Sequence, residues 1–177
     1  MNMEQKINHA IQVNDYATLS SIFSDSSTQS WKILGEGERR TLAAYFVRSV
    51  VTSETFLPDA FRSEQIADVI RATLGHLPPS VEGAMDNTLR KMNFEYLVDE
   101  GDYHNAAVIL AGTRMEESDK KSVYYMTPAA RCDVYVKIAE SYLEEDETVE
   151  ADGVVTRAGA VVDSIEDLEE NFALILR

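Results

Sequence analysis

YLVDEGDYHNAAVILAG, residues 96–112, and YVKIAESYLEEDETVEADGVVTRAG, residues 135–159, decide the fold. Shifted by 45 positions, they place Leu97 on Tyr142, Asp102 on Glu147, Ala106 on Ala151, Ile109 on Val154 and Leu110 on Val155. Each copy reads as a helix ending in a bulky residue, a short polar turn, and a second helix with a small residue where the pair crosses. A period of this length built from helix pairs is the sequence mark of a solenoid. VNDYATLSSIF, residues 13–23, echoes EGDYHNAAVIL, residues 100–110, through Asp15-Tyr16 and Ile22-Phe23, so an early third copy is expected.

Outward from the repeat, helical periodicity dominates and no stretch alternates strictly as a strand does. Residues 2–12 predict a helix with Ile7, Ala10 and Ile11 inward, and residues 15–23 a second with Leu19, Ile22 and Phe23. SDSSTQS, residues 24–30, is a polar loop. Residues 38–52 place Leu42, Phe46 and Val50 on one face. A further helix is expected from near Pro58, burying Phe61, Ile66, Val69, Ile70 and Leu74, and ended by Gly75. Pro78-Pro79 blocks its continuation, and Ser80 is the expected N-cap of the next helix, with Val81, Met85, Leu89, Met92 and Tyr96 as its stripe. Thr127 before Pro128 predicts a cap and first-turn proline, with Val134, Tyr135, Ile138, Ala139 and Tyr142 inward. Gly153 and Gly159 fall inside the predicted helix 148–162, where each costs about 1 kcal/mol against alanine unless a close crossing requires it. Ser164 and Asp167 fit a capping box for a last helix carrying Leu168, Phe172, Ile175 and Leu176. So apolar a helix needs a cover, and the expectation is a fragment of a longer chain. The predicted fold is all-α: a right-handed, TPR-like array of roughly eight to ten antiparallel helices in one domain, residues 1–177.

Composition bounds the function. A 45% apolar content suffices for a core, no apolar run is long enough to span a bilayer, and MNMEQKINHA lacks a signal peptide's apolar stretch. A single cysteine, Cys132, cannot form an internal disulfide and suits a reducing compartment. The charge is uneven: residues 1–90 carry 8 basic and 11 acidic groups, net −3, and residues 91–177 carry 8 and 20, net −12. Such a second half repels a phosphate backbone, which argues against nucleic acid, and attracts a basic protein surface. Ordinary solubilising charge is the plainer reading of the same numbers.

No catalytic constellation emerges from the spacing. His9, His76 and His104 lie far apart, without the pairing a zinc site uses. His104 reads as a solvated or capping residue, and Cys132, beside an apolar stripe, as a packing thiol. Gly35 and Gly37 read as a loop, not a phosphate cradle. Glu144, Glu145, Asp146 and Glu147 are contiguous, so they point in different directions and form neither a catalytic pair nor a calcium loop. They are read as a solvated inter-helix turn or as a patch docking a basic partner. Tyr103, Tyr135 and Tyr142 recur at repeat positions and read as core. Tyr124-Tyr125-Met126, in a polar loop, is either packed beneath that loop or a contact patch.

Residues 94–162 resemble the N-terminal region of the COP9 signalosome subunit 4 family. The resemblance is carried by Asp102, Tyr103, Asn105 to Val108 and Leu110, and by Tyr135, Lys137 to Ala139, Tyr142 to Glu144, Asp146, Val149, Ala151, Arg157 and Ala158. Gly101 departs from it, standing where the family more often has an acid. The proteasome-lid paralogue shares the general pattern. The resemblance implies a non-enzymatic scaffold without cofactor, in cytoplasm and nucleus, within a complex that removes NEDD8 from cullin–RING ligases. Its partners would be the other signalosome subunits and the cullin with its RING-box protein. A C-terminal winged-helix (PCI) module, also implied, is not in this sequence. The alternatives are a free-standing peptide-binding adaptor and a proteasome-lid scaffold.

Overall fold

The structure, a computed structural model, describes residues 2–23, 31, 33–53, 56 and 60–165. Among them are eight α-helices and one 3-10 turn, with no strand beyond an isolated bridge between Glu116 and Tyr125. The all-α expectation holds. The expected last helix and the Ser164–Asp167 capping box fall on or across residues 166–177, outside the described residues, as do the loop 24–30 and Pro58. The chain divides into two compact units, Met1–Leu89 and Arg90–Arg177.

In the first unit, α1 (Met3–Gln12) starts at a capping box: Gln5 N–H donates to Asn2 Oδ1 (2.8 Å), and Asn2 N–H donates back to Gln5 Oε1 (3.0 Å). It buries Ile7, Ala10 and Ile11. Asp15 caps α2 (Tyr16–Phe23), taking Thr18 N–H at 3.0 Å and the Thr18 hydroxyl at 2.6 Å. These bonds favour the ionised form and hold the Asp15 carboxyl below its ordinary range. α3 (Glu36–Val51) buries Leu42, Ala43, Phe46, Val47 and Val50. Gly35 is its N-cap, and Gly37 lies in its first turn, so the loop expected at Gly37 is helix. α4 (Glu64–Leu74) buries Ile66, Val69, Ile70 and Leu74 and ends at Gly75 as expected. It starts later than the apolar pattern suggests, and Phe61 is half-buried ahead of it.

α1 packs on α2 and α3, and α4 packs on α2 and α3. The two layers close over an aromatic cluster. Phe23 meets Trp31 (centroids 5.2 Å) and Phe46 (5.0 Å), and Arg39 lies over the Trp31 ring while its Nε–H donates to the Trp31 carbonyl (2.9 Å). Burying each such side chain is worth about 1.5–3 kcal/mol.

The helix expected directly after Ser80 begins later. A 3-10 turn, Glu82–Ala84, comes first, because Gly83 (φ 59°) and Ala84 (φ 52°) take left-handed conformations that an α-helix excludes. α5 follows at Met85–Asp99. Its expected stripe is only partly buried: Leu89 is fully covered, Met85, Met92 and Tyr96 are half-buried, and Asp86 and Asn93 are buried in their place.

In the second unit, α6 (Tyr103–Ala111), α7 (Pro128–Glu144) and α8 (Thr148–Val162) follow, with α7 packed on both α6 and α8. The Thr127 cap forms as expected, accepting Ala130 N–H at 3.2 Å, with Pro128 at the first helical position. Ala107, Leu110, Ile138, Ala139 and Val154 form the core, flanked by half-buried Phe94, Val134, Tyr135 and Tyr142. A second cluster joins Cys132, Ala158, Val161 and Ile165. Burial and the neighbouring Asp133 push the Cys132 thiol up, keeping it protonated and inert, as a packing role requires.

Candidate functional site

Three inter-helix turns in this chain have one geometry. Asn14 (φ 53°), Gly101 (φ 78°) and Asp146 (φ 58°) each take the left-handed conformation after a helix. The next residue, Asp15, Asp102 or Glu147, donates its N–H five residues back, to Ala10 O (2.8 Å), Leu97 O (2.9 Å) or Tyr142 O (2.9 Å). The left-handed residue donates three back, to Ile11 O (3.4 Å), Val98 O (3.0 Å) or Leu143 O (3.1 Å). This is a Schellman closure whose last residue also starts the following helix. Asp15 and Asp102 do so with side-chain bonds, Asp102 to Asn105 N–H at 3.3 Å. The registers proposed from sequence, Asp102 with Glu147 and Asp15 with Asp102, are the registers of these turns.

The second and third turns lie side by side. His104, in the first turn of α6, places Nδ1 2.8 Å from Glu147 Oε1 and 3.0 Å from Oε2. Glu147 makes no side-chain bond to the N-terminus of α8; its carboxylate reaches across to His104 instead. The Tyr142 ring sits edge-on to His104 with centroids 6.5 Å apart. Burial, then the charges of Glu147 and Glu150, push the Tyr142 hydroxyl pKa up, so it stays a neutral donor.

This clasp gathers carboxylates from both turns at one end of the unit. Asp99, Glu100, Glu144, Glu145, Asp146 and Glu150 are all exposed there. Among the described residues none of the six forms an ion pair, whereas Lys91 and Lys137 are paired within their own helices, to Glu95 (3.9 Å) and Asp133 (2.7 Å). Unneutralised like charges raise the local potential and steer a basic surface toward this edge. Sequence reasoning picked out Glu144, Glu145, Asp146 and Glu147 but missed Asp99 and Glu100, and it missed the role of His104. Placing the two repeat turns side by side would have found all three, because equivalent turns of stacked hairpins lie at the same end.

The other candidate patch divides. Tyr124 is 8% exposed; Arg114 donates to its hydroxyl (3.2 Å) and lies over its ring. It is packed beneath the loop and is withdrawn as a contact residue. Tyr125 is half-buried, and exposed Val123 stands beside it. The loop is laced together by Glu116, whose carboxylate accepts Ser118 N–H (2.8 Å) and Asp119 N–H (3.4 Å). Those two bonds lower its pKa. Arg131 pairs with Glu117 at the base of the same loop.

Gly112 leaves room for the Arg90 guanidinium. A Cβ there would lie 2.2 Å from a guanidinium nitrogen of Arg90, whose Nη1 donates to Ile109 O (3.1 Å). A cation therefore sits on the carbonyl end of α6, where the helix dipole favours it. Gly153 and Gly159 are different. Among the described residues nothing lies within 4 Å of a Cβ at either, so no helix described here packs closely on them.

Among the described residues, no cluster of metal-ligating side chains occurs, and no helix is long and apolar enough to cross a membrane. No protein-family model, no curated protein and no solved structure matches this chain.

Proposed function

We propose that this chain is a non-catalytic helical-repeat scaffold that presents an acidic edge to a basic surface of a partner protein. The observation that carries this reading is the recurrence of one turn geometry at Asn14–Asp15, Gly101–Asp102 and Asp146–Glu147. Repetition of a supersecondary unit is how solenoids build extended binding surfaces. The first unit supports it further. α1 lies on α3 and α2 lies on α4, so the second helix pair stacks on the first, helix upon corresponding helix, as in TPR-like arrays.

The particular scaffold is an arm of the COP9 signalosome subunit 4 type, reading cullin–RING ligases. This assignment rests on the residue pattern of 94–162, and the acidic edge formed by Glu144, Glu145, Asp146 and the neighbouring turn gives that arm a surface suited to a basic partner. Size-exclusion chromatography with the remaining reconstituted signalosome subunits tests it. Co-elution is expected; separate elution at micromolar concentrations overturns the signalosome assignment and leaves the helical-repeat reading to be judged on its own tests.

A further inference from the structure

The sequence holds four prolines, and Pro128 alone follows a hydroxyl residue, Thr127. A threonine followed directly by proline is the pair that proline-directed protein kinases read. They seat the ring of the next residue where an ordinary N–H would be left without an acceptor, and proline has none. In the fold, Thr127 Oγ1 serves only as an acceptor, from Ala130 N–H at 3.2 Å. Its side chain is exposed, and its backbone is extended (φ −62°, ψ 157°), the conformation in which a kinase cleft holds its substrate. Two bonds tie it to α7: Ala130 N–H to its hydroxyl oxygen, and Arg131 N–H to its carbonyl at 3.0 Å. Opening the first turn of a helix costs little.

The surroundings of Thr127 can receive a phosphate. Residues 113–131 carry four basic groups, Arg114, Lys120, Lys121 and Arg131, against the acids Glu116, Glu117 and Asp119, within a half of the chain that is strongly acidic. Lys120 and Lys121 are exposed, and among the described residues neither makes an ion pair. Arg131 stands four residues on from Thr127, the spacing at which side chains of one helix face meet. Its side chain is 12% exposed, its Nη1 pairs with Glu117, and among the described residues its buried Nε–H has no acceptor. A phosphate brings three acceptor oxygens and nearly two negative charges, and it would stand at the N-terminus of a 17-residue helix, where the dipole favours an anion.

We propose that Thr127 is a phosphorylation site for a proline-directed kinase, and that the phosphate draws Arg131 away from Glu117. Thr127 Oγ1 attacks the γ-phosphorus of ATP held by the kinase. The Oγ1–P bond forms as the bond from that phosphorus to the β,γ-bridging oxygen breaks. The electron pair of the broken bond leaves with ADP, and the hydroxyl proton passes to the kinase's catalytic carboxylate. Arg131 then bonds the phosphate, and Glu117 is released, which unties the base of the loop from α7. This site is independent of the scaffold reading.

The test incubates the folded full chain with ATP and, in separate reactions, a mitogen-activated and a cyclin-dependent kinase, each shown to be active on its own peptide substrate. The expected result is one phosphate per chain, mapped to Thr127 by tandem mass spectrometry, and a fall in initial rate of about tenfold or more for Pro128→Ala. Pro128→Ala keeps the hydroxyl, the cap and a good helix former, so its fold is retained, which circular dichroism checks. No incorporation by either kinase, or equal rates for wild type and Pro128→Ala, overturns the site. Incorporation only after heat unfolding also overturns it, because the fold, residues 166–177 included, then covers Thr127. Phosphorus NMR tests the role of Arg131. The second ionisation of a phosphothreonine, ordinarily near about pH 6, is expected to fall by about one unit in the folded chain, because a cation favours the dianion, and to return in Arg131→Gln. Glu117→Gln, at a side chain 66% exposed, removes the competitor for Arg131 and is expected to lower that midpoint further. A midpoint unchanged by Arg131→Gln, or unchanged or raised by Glu117→Gln, overturns the exchange of partners.

Discussion

His104 Nδ1 lies 2.8 Å from Glu147 Oε1, joining residues that are 43 apart in sequence. It fixes one inter-helix turn against its repeat. The His104 side chain is more than half exposed and that of Glu147 is partly exposed, so the pair is worth about 0.3–1 kcal/mol. His104→Ala and Glu147→Gln are each expected to cost that much in urea denaturation. The double variant is expected to cost no more than either alone. Full additivity would show that the contact does not hold the turns together.

The equivalent turns make a prediction of opposite sign at equivalent positions. Gly101 and Asp146 share the left-handed conformation, but only glycine adopts it freely. Gly101→Ala is expected to destabilise by about 1 kcal/mol, and Asp146→Gly to stabilise by up to about 1 kcal/mol. Shifts of the same sign in the thermal midpoint would contradict the shared closure.

Gly153 and Gly159 are exposed on α8, and among the described residues nothing lies within 4 Å of where a Cβ would stand at either. Each carries the helix penalty of glycine without a packing reason among those residues. Gly153→Ala and Gly159→Ala are expected to raise stability by about 1 kcal/mol each, additively, because the sites lie on separate turns. Calorimetry showing no gain would mean that something covers this face in solution.

How much of this was legible in the sequence follows from where the information lies. The helix 148–162 was read to the residue, because Ala151, Val154 and Ala158 recur at helical spacing and Glu147 opens it. The registers of Asp102 with Glu147 and of Ala106 with Ala151 were also legible, since both alanines are buried. The pairing of Leu110 with Val155 was not: Leu110 is buried and Val155 is exposed. α6 turns Ala107 and Leu110 inward, while α8 turns Val154 and Ala158 inward, and residue type alone does not reveal that rotation. The late start of α5 was hidden for another reason. Positive φ at Gly83 is an ordinary glycine choice, but at Ala84 no sequence rule announces it. At the acidic edge, the residues of one turn were visible as a run of charge. Their companions Asp99 and Glu100 come from a different turn and required the fold.

Ala106 is fully buried, so its methyl group has no room to grow. Ala106→Leu is expected to overpack the crossing by about 1–3 kcal/mol. Val155→Leu, on an exposed site 45 positions on from Leu110, is expected to change stability by less than about 0.5 kcal/mol. An unchanged thermal midpoint for Ala106→Leu would argue against the register of the repeat.

The proposed function requires this acidic chain to bind a basic surface on a cullin–RING ligase. It is tested most directly by biolayer interferometry of the full chain against a reconstituted cullin–RING-box complex at low and high salt. Saturable binding is expected, weakening as salt rises and weakening again for the double variant Glu144→Gln, Glu145→Gln. The absence of a saturable response at either salt, or binding indifferent to both salt and these carboxylates, would contradict it.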